Sequence, residues 1–403
     1  MGLSFLPYGR QSIDEDDIAA VAAVLRGDWL TQGPAVEAFE HALAERTGAA
    51  HAVACANGTA ALHLAFLALD LAPGEAVVVP AVTFLATAST VRHAGGEVAF
   101  ADVDPDTGLM TAETAAAALA RAEAAGWRVR ALAPVHYAGQ TADLDALGRL
   151  AAARGLTLVE DACHAIGSVD ERGGGVQPVG NGAAGGMAAF SFHPVKTIAA
   201  GEGGAVTVDD AALAHRLKRL RNHGMLREPE DFADREAGFA AAGTPNPWYY
   251  EMAEPAFNYR LTDLQAALAL SQLGKLDRFA GRRRHLVGLY GRALAPLGPL
   301  VRPLAHVPWC RPAWHLMVAL IDFAAAGRER AAVMADLRAR GIGTQVHYIP
   351  VHRQPFWVRR YGRLSLPGAD AFYDRALSLP LFPAMADGDV DRVAAALAEV
   401  LGG

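Results

Sequence analysis

The sequence has few cysteines and no long uninterrupted apolar segment, and both absences restrict its class. Cys55, Cys163 and Cys310 are far apart, odd in number and form no CxxC pair. This pattern disfavours a disulfide framework and a structural zinc site, so we expect no metal and a reducing, cytoplasmic location. The first ten residues contain no apolar stretch typical of a signal peptide. Charges and prolines interrupt the apolar run of residues 65–88, which predicts no membrane segment.

An excess of positive charge is also missing. The chain has 36 Lys and Arg against 43 Asp and Glu, which gives a formal net charge of -7. Without a general positive field, nucleic acid is not expected as a main partner, although a local anion pocket stays open. What the sequence does have is length: 403 residues, 52% of them hydrophobic, are enough for a large core and two or three domains.

From about residue 50, short β-rich runs alternate with alanine-rich runs of helical character. The β-rich runs are HAVACA, AVVVP, EVAFADVD, RALAPVHY, LTLVEDAC, MAAFSFH and GAVTVD. Such alternation predicts an α/β fold with a mainly parallel sheet wrapped by helices. In sheets of this kind, functional groups gather at the carboxyl ends of the strands.

The last third of the chain has a different pattern. Residues 262–296 are amphipathic, with Thr262 as a helix N-cap and only Gly274 as a breaker, which predicts a long helix linking two domains. Beyond it, the strand-like runs WHLMVALI and GTQVHY flank the helical run RERAAVMADLRARG. We therefore predict a large domain with an N-terminal arm over residues 1–260. Residues 261–403 would form the linking helix and a smaller C-terminal α/β domain.

Two further segments are rich in glycine. Residues 226–250, which also contain prolines and charges, predict a long mobile loop without packed elements. Gly180, Gly182 and Gly185 match GxGxxG. A dinucleotide site would need a strand before this motif and a helix after it, whereas here a strand-like run follows. A turn is therefore the better interpretation.

Two side chains at predicted strand ends carry functional groups that could take part in catalysis. Asp161 follows the apolar run LTLVE directly, and a buried carboxylate is costly unless it has a partner. It is either a helix N-cap or a carboxylate that keeps a pyridine nitrogen protonated. Lys196 lies just beyond FSFHPV and is either a solvated strand end or a lysine that forms a Schiff base.

A phosphate site is predicted at the turn NGTA, residues 57–60, which opens the helical run ALHLAFLAL. Backbone N–H groups at a helix N-terminus suit a phosphate dianion, with a plain N-cap as the alternative. Ser191 adds a hydroxyl near the end of another strand. Phe84 in PAVTF provides an aromatic face that stacks on a cofactor ring or packs in the core. The phosphate turn, aromatic ring, carboxylate and lysine occur in the chain order of one class of pyridoxal phosphate (PLP) enzymes.

The motifs NGTAALHLA, PAVTFLATAS, VEDACHAIGS, FSFHPVKTIAAGEGGAV, NYRLTDLQAALALSQL and HYIPVH extend this pattern over nearly the whole length. On these motifs the chain resembles the DegT/DnrJ/StrS-type sugar aminotransferases. The resemblance implies a fold-type I PLP-dependent transferase. Within the family, SFHPVK, RNHGM, HYIPVH and the tail ALSLPLFPAM most resemble the UDP-4-amino-4,6-dideoxy-N-acetyl-β-L-altrosamine transaminases of the pseudaminic acid route.

The resemblance also implies roles for individual residues. Lys196 would carry PLP as a Schiff base and move protons, Asp161 would pair with the ring nitrogen, and Phe84 would stack on the ring. His164 would lie near the ring hydroxyl, where many relatives have Gln. Asn258 would reach the phosphate of the neighbouring subunit, which implies a homodimer. The remaining phosphate contacts would come from Gly58, Thr59, Ala60 and Ser191.

The implied reaction moves the amino group of glutamate to the C4 keto group of a nucleotide-linked 4-keto-6-deoxy sugar. The sub-family resemblance favours UDP-2-acetamido-2,6-dideoxy-β-L-arabino-hex-4-ulose, with dTDP- or GDP-linked sugars as alternatives. A PLP-dependent sugar dehydratase is a second alternative, disfavoured because such relatives replace the lysine with histidine. A non-catalytic relative would have lost Lys196 or Asp161. Candidate substrate contacts are Tyr8, Trp29, Thr31, Gln32, Arg260, His347 and Tyr348, with structural roles as equal alternatives for Trp29, Arg260 and Tyr348.

Overall fold

The computed structural model describes residues 5–172, 175–182 and 186–402. The strands in chain order are β1 (His51–Cys55), β2 (Glu75–Pro80), β3 (Glu97–Ala101), β4 (Arg128–Leu132), β5 (Thr157–Asp161), β6 (Val169–Asp170), β7 (Gln177–Pro178), β8 (Met187–Ser191), β9 (Gly204–Val208), β10 (Met225–Leu226), β11 (Glu251–Met252), β12 (Val301–Pro303), β13 (Cys310–Arg311), β14 (Met317–Ile321) and β15 (Ala376–Leu379).

The helices in chain order are α1 (Glu15–Arg26), α2 (Pro34–Thr47), α3 (Gly58–Leu67), α4 (Leu85–His93), α5 (Ala112–Ala124), α6 (Leu144–Arg154), α7 (Ala211–Arg221), α8 (Arg235–Gly238), α9 (Asp263–Leu273), α10 (Leu276–Leu294), α11 (Arg330–Ala339), α12 (Pro355–Tyr361), α13 (Pro367–Arg375) and α14 (Asp387–Leu401). Their ends follow local chemistry: α2, for example, begins with Pro34 and ends at Gly48, which has a left-handed backbone.

The central sheet contains all seven predicted strands, in the order β1-β9-β8-β5-β4-β2-β3. Neighbours from β8 to β3 run parallel, whereas β9 runs antiparallel to both β1 and β8. Alternate residues of β2 pack into different apolar clusters: Val77 and Val79 into one, Val78 into another. Such alternation means that helices cover both faces of the sheet, and the predicted α/β class is confirmed.

The C-terminal region forms a second, antiparallel sheet of β12, β14 and β15. The predicted strand WHLMVALI corresponds to β14, and α11 corresponds to the predicted helix. The prediction of a strand over GTQVHY was wrong, because in that run only Gln345 forms an isolated bridge, to Ser378 of β15. The short strands β12 and β15 supply the pairing instead.

The predicted linking helix is two helices. Thr262 caps α9 in a reciprocal capping box with Gln265, as expected for an N-cap. The helix then ends at Gly274, and α10 begins after Lys275. Helix α9 packs on α1 and α2, whereas α10 packs on α14. The division of the chain at residue 260 stays a prediction.

Residues 226–250 contain packed structure, so the predicted absence of packed elements was wrong. Phe232 is buried, and its ring lies 4.8 Å from that of Tyr249 and 6.0 Å from that of Phe239. The short helix α8 lies within this segment, and β10 pairs with β11 across it. Aromatic side chains therefore organise a segment that its glycines and prolines predicted to be a loop.

Gly180 and Gly182 of the GxGxxG pattern lie in a turn that precedes β8. Gly180 and Gly182 have positive φ, and a Cβ at either position would clash with Phe190 or Asp209. Gly185 lies outside the described residues, and the strand β8 follows the motif. Across the described ranges, no helix combines the length and the apolar character needed to span a bilayer.

Candidate active site

The carboxyl ends of β5 and β8 bring two predicted residues to the same edge of the sheet. Asp161 is the last residue of β5, and Ser191 is the last residue of the adjacent parallel strand β8. The start of α3 packs closely against this edge, because a Cβ on Gly58 would lie 2.6 Å from the Ser191 Cβ. Only glycine allows that approach.

Asp161 is buried and has specific partners. Its Oδ2 accepts a hydrogen bond of 2.6 Å from the Thr87 hydroxyl, which itself lies 2.6 Å from the Thr83 hydroxyl. Its Oδ1 accepts from the Cys163 backbone N–H at 3.1 Å. Residues 162–168 form turns, so the helix N-cap interpretation was wrong. Both hydrogen bonds fix the position of the carboxylate, the group that would pair with a pyridine nitrogen.

Lys196 lies in the turn after β8, where its backbone N–H donates to His193 O at 2.8 Å. Burial lowers the pKa of its amine, and the nearby Cys163 and Asp161 oppose that shift. The sequence contains two other lysines. Lys218 is exposed on α7, and Lys275 pairs with Asp17 at 2.7 Å. Lys196 is therefore the lysine suited to react as a neutral amine.

An aromatic group and a histidine complete this side of the sheet. The Phe84 side chain is 53% exposed, so it is not a core residue, and its ring lies 5.8 Å from that of Tyr348. His164 Nδ1 accepts from the Ala138 N–H at 3.3 Å, which leaves Nε2 to donate to the Tyr348 hydroxyl at 3.0 Å. Burial and the nearby Lys196 hold the pKa of His164 well below its usual range. His164 is thus a neutral ring.

We call the group formed by these residues the cofactor edge; it comprises Phe84, Asp161, His164, Ser191, Lys196 and Tyr348. Sequence analysis missed two of its neighbours. The His315 ring lies 4.4 Å from that of His164, and burial keeps its pKa well below the usual range. Thr87 contacts Asp161 from α4. Thr87 lies within the motif PAVTFLATAS and His315 within the run WHLMVALI, but neither pattern singles out the residue, because the contacts arise only from packing.

The predicted phosphate turn has both the features of a cap and those of an anion site. Asn57 Oδ1 accepts from the Ala60 N–H at 2.9 Å, as in a plain N-cap. The N–H groups of Gly58 and Thr59 belong to the first turn of α3 and have no intrahelical acceptor. Thr59 is exposed, and Ser191 lies against Gly58. These groups fit a phosphate in a recess too narrow for a side chain at position 58.

The seven candidate substrate residues divide into two groups. Tyr348 belongs to the cofactor edge, and His347 and Tyr8 lie beside it: the His347 ring is 4.9 Å from that of Tyr348 and 5.3 Å from that of Tyr8. Burial, with a smaller effect of Lys196, lowers the pKa of His347 to about 3. Its Nδ1 lies 2.8 Å from the Ser378 hydroxyl.

The second group lies around a different cavity. Gln32 and Arg260 line a cavity of about 1060 Å³, which we call the arginine cavity because Arg219 and Arg221 line it too. Arg260 donates to Asn222 Oδ1 at 2.6 Å, a structural contact of the kind given as its alternative role. The other two candidates, Trp29 and Thr31, shortly precede Gln32 in the sequence. Thr31 forms an isolated β-bridge with Thr262, and Trp29 is 58% exposed. No residue of the cofactor edge lines this cavity.

A family model described as the DegT/DnrJ/EryC1/StrS aminotransferase family matches residues 11–398. The chain belongs to this family. The aminotransferase is 37% identical over 402 residues to the spore coat polysaccharide biosynthesis protein SpsC of Bacillus subtilis (strain 168), covering 99% of this chain and 98% of SpsC. The structure of this chain is similar to that of Helicobacter pylori PseC, described as an aminotransferase involved in the biosynthesis of pseudoaminic acid. The TM-score is 0.86 at 27% identity, with 99% of each chain covered.

Other similar structures carry the cofactor in their descriptions. The PLP form of the putative sugar aminotransferase Spr1654 from Streptococcus pneumoniae matches with a TM-score of 0.84 at 27% identity, over 98% of each chain. The predicted family, enzyme class and PLP cofactor are thereby confirmed. The roles of individual residues at the cofactor edge stay predictions, supported by the geometry above.

Proposed function

We propose that this PLP-dependent sugar aminotransferase moves the amino group of glutamate to the C4 keto group of a nucleotide-linked 4-keto-6-deoxy sugar. UDP-2-acetamido-2,6-dideoxy-β-L-arabino-hex-4-ulose is the favoured substrate. The motifs that resemble the pseudaminic acid enzymes support this choice, as does the structural similarity to a protein involved in pseudoaminic acid biosynthesis. The observation that carries the proposal is that Lys196 and a fully hydrogen-bonded Asp161 lie at one sheet edge, beside a recess suited to phosphate.

Bound PLP supplies an electron sink and an aldehyde that exchanges amino groups. The protein supplies the rest. Asp161 offers a fixed negative charge for the ring nitrogen, held by Thr87 and Cys163. Lys196 offers an amine whose lowered pKa increases its neutral fraction, so it can accept and return protons at the reacting carbon. Phe84 offers an exposed aromatic face for the ring.

Two parts of the proposal concern the assembly. We propose a homodimer in which Asn258 contacts the cofactor phosphate of the neighbouring subunit; in a single chain Asn258 is exposed, as such a contact requires. The cytoplasm remains the proposed location, supported by three cysteines that are all free. Glutamate is the proposed donor on the resemblance alone.

A sugar dehydratase remains the second candidate reaction on the same frame. The intact Lys196 argues against it. The deciding experiment supplies the enzyme with PLP, ¹⁵N-glutamate and a panel of UDP-, dTDP- and GDP-linked 4-keto sugars. We expect an ¹⁵N-amino sugar, formed fastest from the UDP sugar. Faster transfer to a dTDP or GDP sugar would correct the substrate, and a deoxy product without ¹⁵N would favour dehydration.

A further inference from the structure

The segment that carries Asn258 has an extended backbone. Residues 257–259 pair with residues 221–223 through a β-bridge and backbone hydrogen bonds of 3.0 and 2.9 Å. Neighbouring side chains of an extended segment lie on opposite sides. Phe257 and Tyr259 therefore share one side, and Asn258 occupies the other.

The side that holds Phe257 and Tyr259 is fixed to α3. The Tyr259 hydroxyl lies 3.1 Å from Nδ1 of His63, a buried residue of that helix. The Phe257 and Tyr259 rings stack at 5.0 Å with an angle of 9°, and Phe257 lies 5.1 Å from the His63 ring. The Ala56 N–H donates to Tyr259 O at 2.8 Å, immediately before the phosphate turn. The segment is thus bound to the helix that forms this chain's own phosphate site.

We propose that His63 and Tyr259 are positioning residues that orient Asn258 toward the cofactor phosphate of the partner subunit. The inference rests on the proposed contact of Asn258 across the dimer. Two aromatic rings and one hydroxyl hold the segment against α3, so Asn258 projects away from that helix. Helix α3 then serves two active sites. Its N-terminus faces the phosphate site of its own subunit, and His63 supports the segment whose Asn258 contacts the phosphate site of the partner subunit.

The Tyr259 hydroxyl is the part of this arrangement that can be removed with least disturbance. Tyr259→Phe keeps the ring stack and removes only the contact with His63. Hydrogen bonds to charged groups are stronger than those between neutral groups, so Asn258→Ala should weaken PLP binding about 10- to 100-fold. Tyr259→Phe should leave Asn258 misoriented and weaken PLP binding by part of that factor, about 3- to 10-fold. Pyridoxal, which lacks the phosphate, should bind equally well to all these variants.

The test measures dissociation constants of PLP and pyridoxal by absorbance for the dimeric wild type, Tyr259→Phe, Asn258→Ala and the double variant. His63→Met removes the same contact from the other side and replaces Tyr259→Phe if that variant does not fold. Tyr361→Phe is the matched control, because its hydroxyl bonds Glu97 at the far edge of the sheet. We expect Tyr259→Phe to weaken PLP selectively and to add nothing in the Asn258→Ala background.

Each of the other possible outcomes contradicts a specific part of the proposal. Equal weakening of PLP and pyridoxal, or additive effects of the two substitutions, would mean that Tyr259 only stabilises the fold. If Asn258→Ala weakens PLP but Tyr259→Phe does not, the positioning role is wrong and the proposed contact of Asn258 stands. If Asn258→Ala leaves the affinity for PLP unchanged, both the contact and the positioning role are wrong.

Discussion

The cofactor edge and the arginine cavity are both polar, but they are built differently. At the cofactor edge, Asp161 and His164 are buried and each is fixed by hydrogen bonds to a hydroxyl and a backbone N–H. The arginine cavity is lined by charges that pair with one another, such as Arg221 with Glu40. Catalysis needs preorganised groups in a dry site, whereas charges that already pair with each other are less available to a substrate. The arginine cavity is therefore not where we place the reaction.

The sharpest test of this comparison is Lys196→Ala. We expect a loss of turnover of at least about 10³-fold, because the variant lacks both the covalent attachment point and the proton-transfer group. Lys218→Ala, at the arginine cavity, should retain wild-type turnover. Borohydride reduction of the wild type followed by peptide mass spectrometry should find the cofactor on Lys196. Cofactor on Lys218 instead would reverse the assignment of the two regions, and cofactor on Lys275 would exclude both.

Arg260→Ala tests whether the arginine cavity binds the nucleotide sugar. A guanidinium matches phosphate geometry, so its loss should raise the KM for the sugar about 10-fold and change kcat by less than about 2-fold. Arg227→Ala, which removes another cation from the same cavity, should change KM less. Unchanged kinetics would leave Arg260 with only its contact to Asn222.

Thr87→Val tests the preorganisation of Asp161. Removing one hydrogen bond to a carboxylate should lower kcat about 5- to 10-fold without changing the KM for the sugar. Thr90→Val is the control on the same helix, because the Thr90 hydroxyl bonds only the Ala86 carbonyl. If both variants have the same kcat, the Thr87 contact is a matter of packing alone.

Acid should destabilise the cofactor edge through its neutral histidines. The pKa of His347 is lowered to about 3, below the usual 6.5, so the unfolded chain binds this proton first as pH falls. The free energy of unfolding should therefore decrease as pH falls from about 6.5 toward 3. Replacing His347 with Gln should reduce the loss between pH 7 and pH 5 by on the order of 1 kcal/mol in urea unfolding. The control replaces the exposed His41 with Gln, and an equal effect of both substitutions would exclude burial as the cause.

Local sequence patterns predicted the strands of the central sheet and the places of Asp161 and Lys196, because strand ends and apolar runs are local features. The missed residues, Thr87 and His315, and the pairing of His164 with Tyr348 depend on contacts between distant segments. Thr87 is 74 positions from Asp161, and the His164–Tyr348 hydrogen bond spans 184. The sequence also did not predict the break between α9 and α10, because many helices tolerate one glycine. Only the packing of α9 on α1 and α2 decides where α9 ends and in which direction α10 continues.

The exposed ring of Phe84 has a practical consequence for handling the protein. A ligand ring that binds this surface binds only the folded chain, so its binding adds to the free energy of unfolding. We therefore expect the yield of unaggregated protein from an expression host to rise with the supply of vitamin B6 during growth.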